Sequence, residues 1–194
     1  MGRKTHITKE IILETALRML IRDGYGAITV KSLAAEIGCS TQPIVWHFES
    51  MNGFRKAFLE YCVDYAKGQF TVWNGSLDAL LAETAWRYIT IACNTPNLFR
   101  FVFVDNKDAC KNSDVVQKLQ LDNTKKIIHL LCEEKGLSES QAASFLMNYE
   151  FYIHGIASYT ASGFVHYPEE EIITMASRAR DAFLTNEMRK SYET

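Results

Sequence analysis

The chain has 194 residues, 47% of them apolar and 23% charged, with a formal net charge of −2, which is an ordinary globular composition for one compact domain or two small ones sharing a core. Its first ten residues, MGRKTHITKE, hold no apolar stretch, and no apolar run approaches the roughly 18 residues of a membrane span, so neither a signal peptide nor a membrane protein is expected. The five cysteines (39, 62, 93, 110 and 132) are odd in number and lack C-x-x-C spacing, which fits reduced thiols in a cytoplasmic protein rather than a disulfide framework.

The elements are predicted to be helical throughout. Only three prolines and ten glycines interrupt the chain, and strand-like alternation is nearly absent, so the fold class is all-α. Helix 1 is predicted over 8–23, with Ile11, Ile12, Thr15, Ala16, Met19 and Leu20 on one face, Thr8 as its cap and Gly24 at its end. Thr29 caps helix 2, VKSLAAEI, which stops at Gly38. Ser40 is expected to cap helix 3, TQPIVWHF, with Pro43 in the first turn where its missing N–H breaks no bond. Ser50 caps helix 4, which continues to about residue 68. Further helices are predicted at 76–93, 96–104, 113–135, 138–163 and 168–189, with Ser138 and Gln141 forming a capping box and Pro168 leading three glutamates into the last. Charge divides unevenly: residues 1–60 carry eight Lys/Arg against six Asp/Glu, the remainder thirteen against seventeen. A mildly basic head on an acidic body is compatible with contact to a polyanion.

Helices 2 and 3 are short and joined through Gly38, Cys39 and Ser40, which is the dimension of a helix-turn-helix. Ala34 is small where the second helix crosses, Gly38 suits a positive φ, and Leu33, Ile37, Ile44 and Val45 are expected to form the wedge of core between the helices. The string CSTQPIVWHF then makes chemical sense. A recognition helix presents its N-terminal residues to base edges in the major groove. Gln42 can pair in bidentate fashion with adenine, Thr41 can touch a thymine methyl, and Pro43 adds a flat apolar contact. Trp46 and His47 can donate N–H groups to phosphate, and Phe48 turns back to the core. The competing explanation is an ordinary helical hairpin with a half-buried Trp46 and a surface His47.

Over residues 8–60 the sequence resembles the tetracycline-repressor-like (TetR/AcrR) transcriptional regulators. The resemblance rests on Gly24, Tyr25, Thr29-Val30, Leu33-Ala34, Gly38, Ser40 and the close Trp46-His47-Phe48. It implies an N-terminal three-helix DNA-binding head, residues 1–50, connected by helix 4 to a C-terminal ligand-binding and dimerisation domain, residues 51–194. It also implies phosphate contacts from Thr29 and Lys31, a groove face of Ser40, Thr41, Gln42 and Pro43, and a backbone grip by Trp46 and His47. One departure is Met51, where many members carry a phosphate-pairing lysine. Losing that contact should lower the salt slope by about one unit per half-site. The amides at the start of helix 4, with Asn52, can still meet a phosphate. Arg3, Lys4 and Lys9 form either a DNA-contacting arm or a solvated start of chain.

For the body the resemblance implies two tasks. The helices at 138–163 and 168–189 would pair with their copies in a homodimer, where Gly155, Ala157, Ser158 and Ala161 offer small faces; the other reading is the core of a monomer. A two-fold dimer calls for a pseudo-palindromic operator in double-stranded DNA. The second task is binding a small-molecule effector of unknown identity. Trp86, Phe103, Tyr149, Tyr152 and His154 are the candidates for its pocket, with Asn148 and Arg87 as further polar anchors; aromatics at helical spacing are equally plain core. Tyr65, Phe70 and Trp73 belong to the same aromatic population.

No H-E-x-x-H, G-x-S-x-G or Gly-rich phosphate loop occurs, and the histidines lack metal-ligand spacing, so neither an enzyme nor a cofactor or metal is expected. Cys39, beside the start of helix 3, is either a redox-sensitive thiol or a small turn residue. The function expected is a ligand-responsive dimeric repressor. The alternative is a helical small-molecule- or partner-binding protein with a weakened DNA head.

Overall fold

The structure is a computed structural model that describes residues 7–68, 76–106 and 114–190, with backbone alone over 114–123 and at 190. Arg3, Lys4, Phe70, Trp73 and Cys110 lie outside the described residues. The helices are α1 (Lys9–Asp23), α2 (Val30–Ile37), α3 (Gln42–Phe48), α4 (Met51–Gly68), α5 (Leu77–Asn94), α6 (Pro96–Phe99), α7 (Asp114–Lys135), α8 (Glu139–Ala161) and α9 (Glu169–Lys190). A 3-10 turn, Tyr25–Ala27, follows α1, and a π-helical turn, Arg100–Val104, continues α6. No strand occurs among the described residues.

Local chemistry sets most of the boundaries. Thr8 accepts from the Ile11 amide, and Thr29 and Ser32 satisfy each other's backbone in a capping box, as do Ser138 and Gln141. Gly38 closes α2 at φ 77° and ψ 34°, a left-handed conformation in which its N–H and that of Cys39 both reach the Ala34 carbonyl. Two expectations fail here. Ser40 does not cap α3: the helix starts at Gln42, Thr41 takes the cap position, and no side-chain bond closes the end. A cap at Ser40 would put Pro43 at the third helical position, where its absent N–H leaves the hydroxyl one donor short. Nor does Val45 join the wedge between the helices; only Ile44 and Phe48, one turn apart, point inward with Leu33 and Ala34.

The first three helices are joined to the rest of the chain by a column of rings. Phe48 meets Phe54 edge-on at 5.2 Å, Phe54 stacks on Phe58 at 5.3 Å, and Phe58 lies 5.3 Å from Phe101. Tyr25, from the α1–α2 connection, stacks on Phe101 at 4.6 Å. Aromatic pairs at these separations contribute about 0.5–1.5 kcal/mol beyond their burial. Polar bonds reinforce the joint. The Arg55 guanidinium lies over the Tyr25 ring and donates twice to Asn106 Oδ1, at 2.9 and 2.6 Å. Asn106 in turn donates to the Phe101 carbonyl, and Asn97 to the Ile21 carbonyl at the end of α1. Asn106 is 2% exposed. Its replacement by alanine should therefore cost about 1–3 kcal/mol in urea denaturation, because buried acceptor and donor groups lose their partners.

In the body, α5, α8 and α9 pack together around Leu81, Ala85, Ile89, Phe145, Tyr149 and Ile153, and α7 closes against α5 and α8. Ala157 is fully buried in this core. It is thus not part of an outward small-residue face, because it falls one turn beyond Ile153 on the inner side of α8. The outer side of α8 and α9 is instead apolar and exposed: Met147, Phe151, Tyr152, Tyr159, Ile173 and Met188 all meet solvent. No described helix is long and apolar enough to cross a membrane.

Candidate nucleic-acid interface

Beginning at its cap, α3 exposes Thr41, Gln42, Val45, Trp46 and Glu49. At 100° per residue these positions fill one face about 140° wide. The face combines two short polar side chains at the N-terminal end, an uncovered indole and a carboxylate. Pro43 is half-buried behind Gln42, and Ser40 is exposed just before the helix. At the start of α2, Lys31 is exposed, whereas the Thr29 hydroxyl is engaged with the Ser32 amide and hydroxyl, at 3.1 and 3.0 Å.

His47 acts first on the protein itself. Its Nε2–H donates to the Ile7 carbonyl at 2.9 Å, and the Trp46 ring meets it edge-on at 4.7 Å. Lys9 lies 5.5 Å from the centre of the Phe48 ring. The start of α1 is thereby held against α3.

The junction from α3 to α4 is strained. Glu49 has φ 60° and ψ −38°, and the Ser50 N–H bonds the Phe48 carbonyl two residues back at 2.6 Å. This is a γ-turn of the rare, positive-φ hand, and a non-glycine residue there costs on the order of 1–3 kcal/mol. Ser50 then accepts from the Gly53 amide at 3.1 Å and caps α4. Gly53 is needed because a Cβ at that position would collide with the Phe48 carbonyl oxygen. Sequence reasoning missed both features, since ESMNGF carries no turn signature at Glu49.

The three described arginines of the first 60 residues are engaged within the protein. Arg18 pairs with Glu14, Arg55 bonds Asn106, and Arg22 forms a two-armed bridge to Glu36 at 3.0 and 3.2 Å. The Arg22 guanidinium holds the Glu36 carboxyl below the usual carboxylate range. Met51, at the start of α4, is exposed and uncharged.

The candidate effector residues divide. Trp86 lines an open cavity of about 290 Å³, together with Tyr65, Thr90, Asn94, Leu98 and the ion-paired Glu83 and Arg87. Phe103 and His154 instead meet around Tyr88, whose ring centre lies 4.9 and 6.1 Å from theirs. The Tyr88 O–H donates to His154 Nδ1 at 2.7 Å, and burial pushes the phenol pKa up, which keeps the proton on tyrosine. Tyr149 is buried, donates to the Leu81 carbonyl at 3.3 Å, and has its pKa pushed up to about 12 by burial. Tyr152 lies on the exposed outer side of α8, edge-on to Phe183. Asn148 donates to the Ser144 carbonyl. The polar cavity residues escaped sequence reading because scattered Thr, Asn and Glu on one helix face carry no pattern. Among the described residues no group of His, Cys, Asp or Glu is arranged to hold a metal.

The arrangement is a short helix-turn-helix that presents a polar helix start and an exposed indole, carried on an all-helical remainder. Residues 12–58 match the family model described as bacterial regulatory proteins, tetR family. Two solved structures share the fold. A TetR variant from Acinetobacter baumannii AYE, in complex with minocycline, is 17% identical, with 95% of this chain and 98% of that chain covered at a TM-score of 0.63. A TetR transcriptional regulator from Rhodococcus sp. RHA1 is 14% identical, with 90% and 96% covered at a TM-score of 0.57. No curated protein sequence matches the chain. The family match thus covers residues 12–58, and the solved structures, at 17% identity or less, share the all-helical fold of the whole chain.

Proposed function

We propose that the protein is a ligand-responsive dimeric repressor that binds a pseudo-palindromic operator through α3 and is released by a small molecule. The observation that carries this reading is the exposed face of α3, with Thr41 and Gln42 at the end that enters the major groove. Ser40 and Pro43 flank that end, Lys31 and Trp46 reach phosphates from either side, and Thr29 and His47 hold the contacting segments in place. The division of labour is a head at 1–50 and a body at 51–194. The exposed apolar side of α8 and α9 supports dimerisation, because a run of Met, Phe, Tyr and Ile facing water is costly in a monomer. The cavity beside Trp86 supports an effector site, at the small end of the range for such pockets. The minocycline complex of the Acinetobacter protein favours the same general arrangement without indicating the ligand here.

The test is selection of binding sites from a random duplex library with the purified full-length protein at near-physiological salt. A recovered pseudo-palindrome with half-sites a helical turn or more apart is expected. The second reading, a small-molecule- or partner-binding protein with a weakened head, is favoured by Met51 and by the commitment of Arg18, Arg22 and Arg55 within the protein. It predicts no enrichment of any duplex, with the fold still stabilised by a ligand.

A further inference from the structure

The groove face of α3 carries more apolar surface than a phosphate-gripping helix needs. Val45 is 52% exposed and Trp46 76%. Val45 stands one turn beyond Thr41 on the same face, so it enters the groove wherever Thr41 does. The exposure is not a scattered surface valine. Val45 is continuous with Val30 and Met51 around a depression of about 50 Å³, backed by Ile44 and Phe48. Glu49 and Ser50 complete its rim. A carboxylate beside the depression disfavours a phosphate there.

An apolar depression needs an apolar occupant. Among the base edges of the major groove, the C5 methyl of thymine is the one that presents an apolar alkyl group. We propose that Val45 is a specificity-determining residue, which with Val30 and Met51 receives a thymine methyl group in each operator half-site. The inference rests on the DNA-reading function proposed above and adds a base preference to it. It also gives Met51 a use: the position brings apolar surface to the groove edge instead of a cation to the backbone.

The test uses the full-length protein and the duplex that it enriches from a random library. Each thymine of a half-site is replaced in turn by deoxyuridine, which removes only the methyl group, and affinities are measured for wild type and Val45→Ala at one salt concentration. At one thymine per half-site, demethylation should weaken wild type roughly fourfold, the worth of one buried methyl. Val45→Ala should lose a similar factor on the intact duplex and be indifferent to that demethylation, while remaining sensitive at other thymines. Val45 is exposed, so the variant should keep its circular dichroism and melting temperature. Equal affinity of the two proteins, or a loss in Val45→Ala that is the same with and without every methyl, overturns the inference and leaves DNA reading intact. Failure to enrich any duplex overturns both.

Discussion

Alanine in place of Gln42 is expected to lower affinity for the selected operator by about 5–150-fold per half-site, the span of a lost bidentate base contact worth about 1–3 kcal/mol. Binding to unrelated duplex should barely change, since that binding comes from phosphate contacts. Gln42 is the first residue of α3 and is exposed, so its truncation removes reach without opening the core. The asymmetry between the two kinds of DNA is the decisive reading. Equal losses on both would mean that Gln42 contributes to general attraction rather than to sequence recognition. With Arg18, Arg22 and Arg55 engaged within the protein, affinity for unrelated DNA should also fall less steeply with salt than in a protein that grips more phosphates.

Phe151→Glu should have the second large effect. The ring is 69% exposed on the outer side of α8, amid Met147, Tyr152 and Tyr159. A carboxylate there would be buried in the pairing proposed for this face, where lost hydration opposes association. Sedimentation is expected to give the mass of a single 22.1 kDa chain, with helical content retained. Operator affinity should fall at least about 100-fold, because the second half-site no longer benefits from a linked head. A variant that still sediments as a dimer would rule out this face as the interface.

Legibility from sequence followed the range of the physics. Thr8, Thr29, Ser138 and Gly38 were readable because capping depends on residues three or four apart, and the helices they bound fall within a residue or two of expectation. Ser40 misled because Pro43 alters the same local pattern by removing a donor. Val45 misled because a two-turn helix with four bulky residues in a row has too little period to say which of them faces inward. Thr41 and Gln42, proposed above to read the groove, stood out as polar positions with no core to join. The cavity did not stand out, since its wall combines one tryptophan with polar residues that only the packing of α4, α5 and α6 brings together. His154 and Tyr88 are 66 positions apart, and no local rule could have paired them.

The placement of the tryptophans has a practical consequence. Of three in the chain, Trp46 stands in water on the exposed face of α3 and Trp86 lines the cavity, while Trp73 lies outside the described residues. The protein therefore carries a native fluorophore at each of its two proposed binding sites. Emission from Trp46 should shift or quench when DNA displaces its water, and emission from Trp86 should respond to an occupant of the cavity. With Trp46→Phe and Trp86→Phe to assign the signals, a stopped-flow experiment without any label can follow both. Which change comes first then becomes a matter of timing, and an effector that enters before DNA departs can be told from one that captures the protein after release.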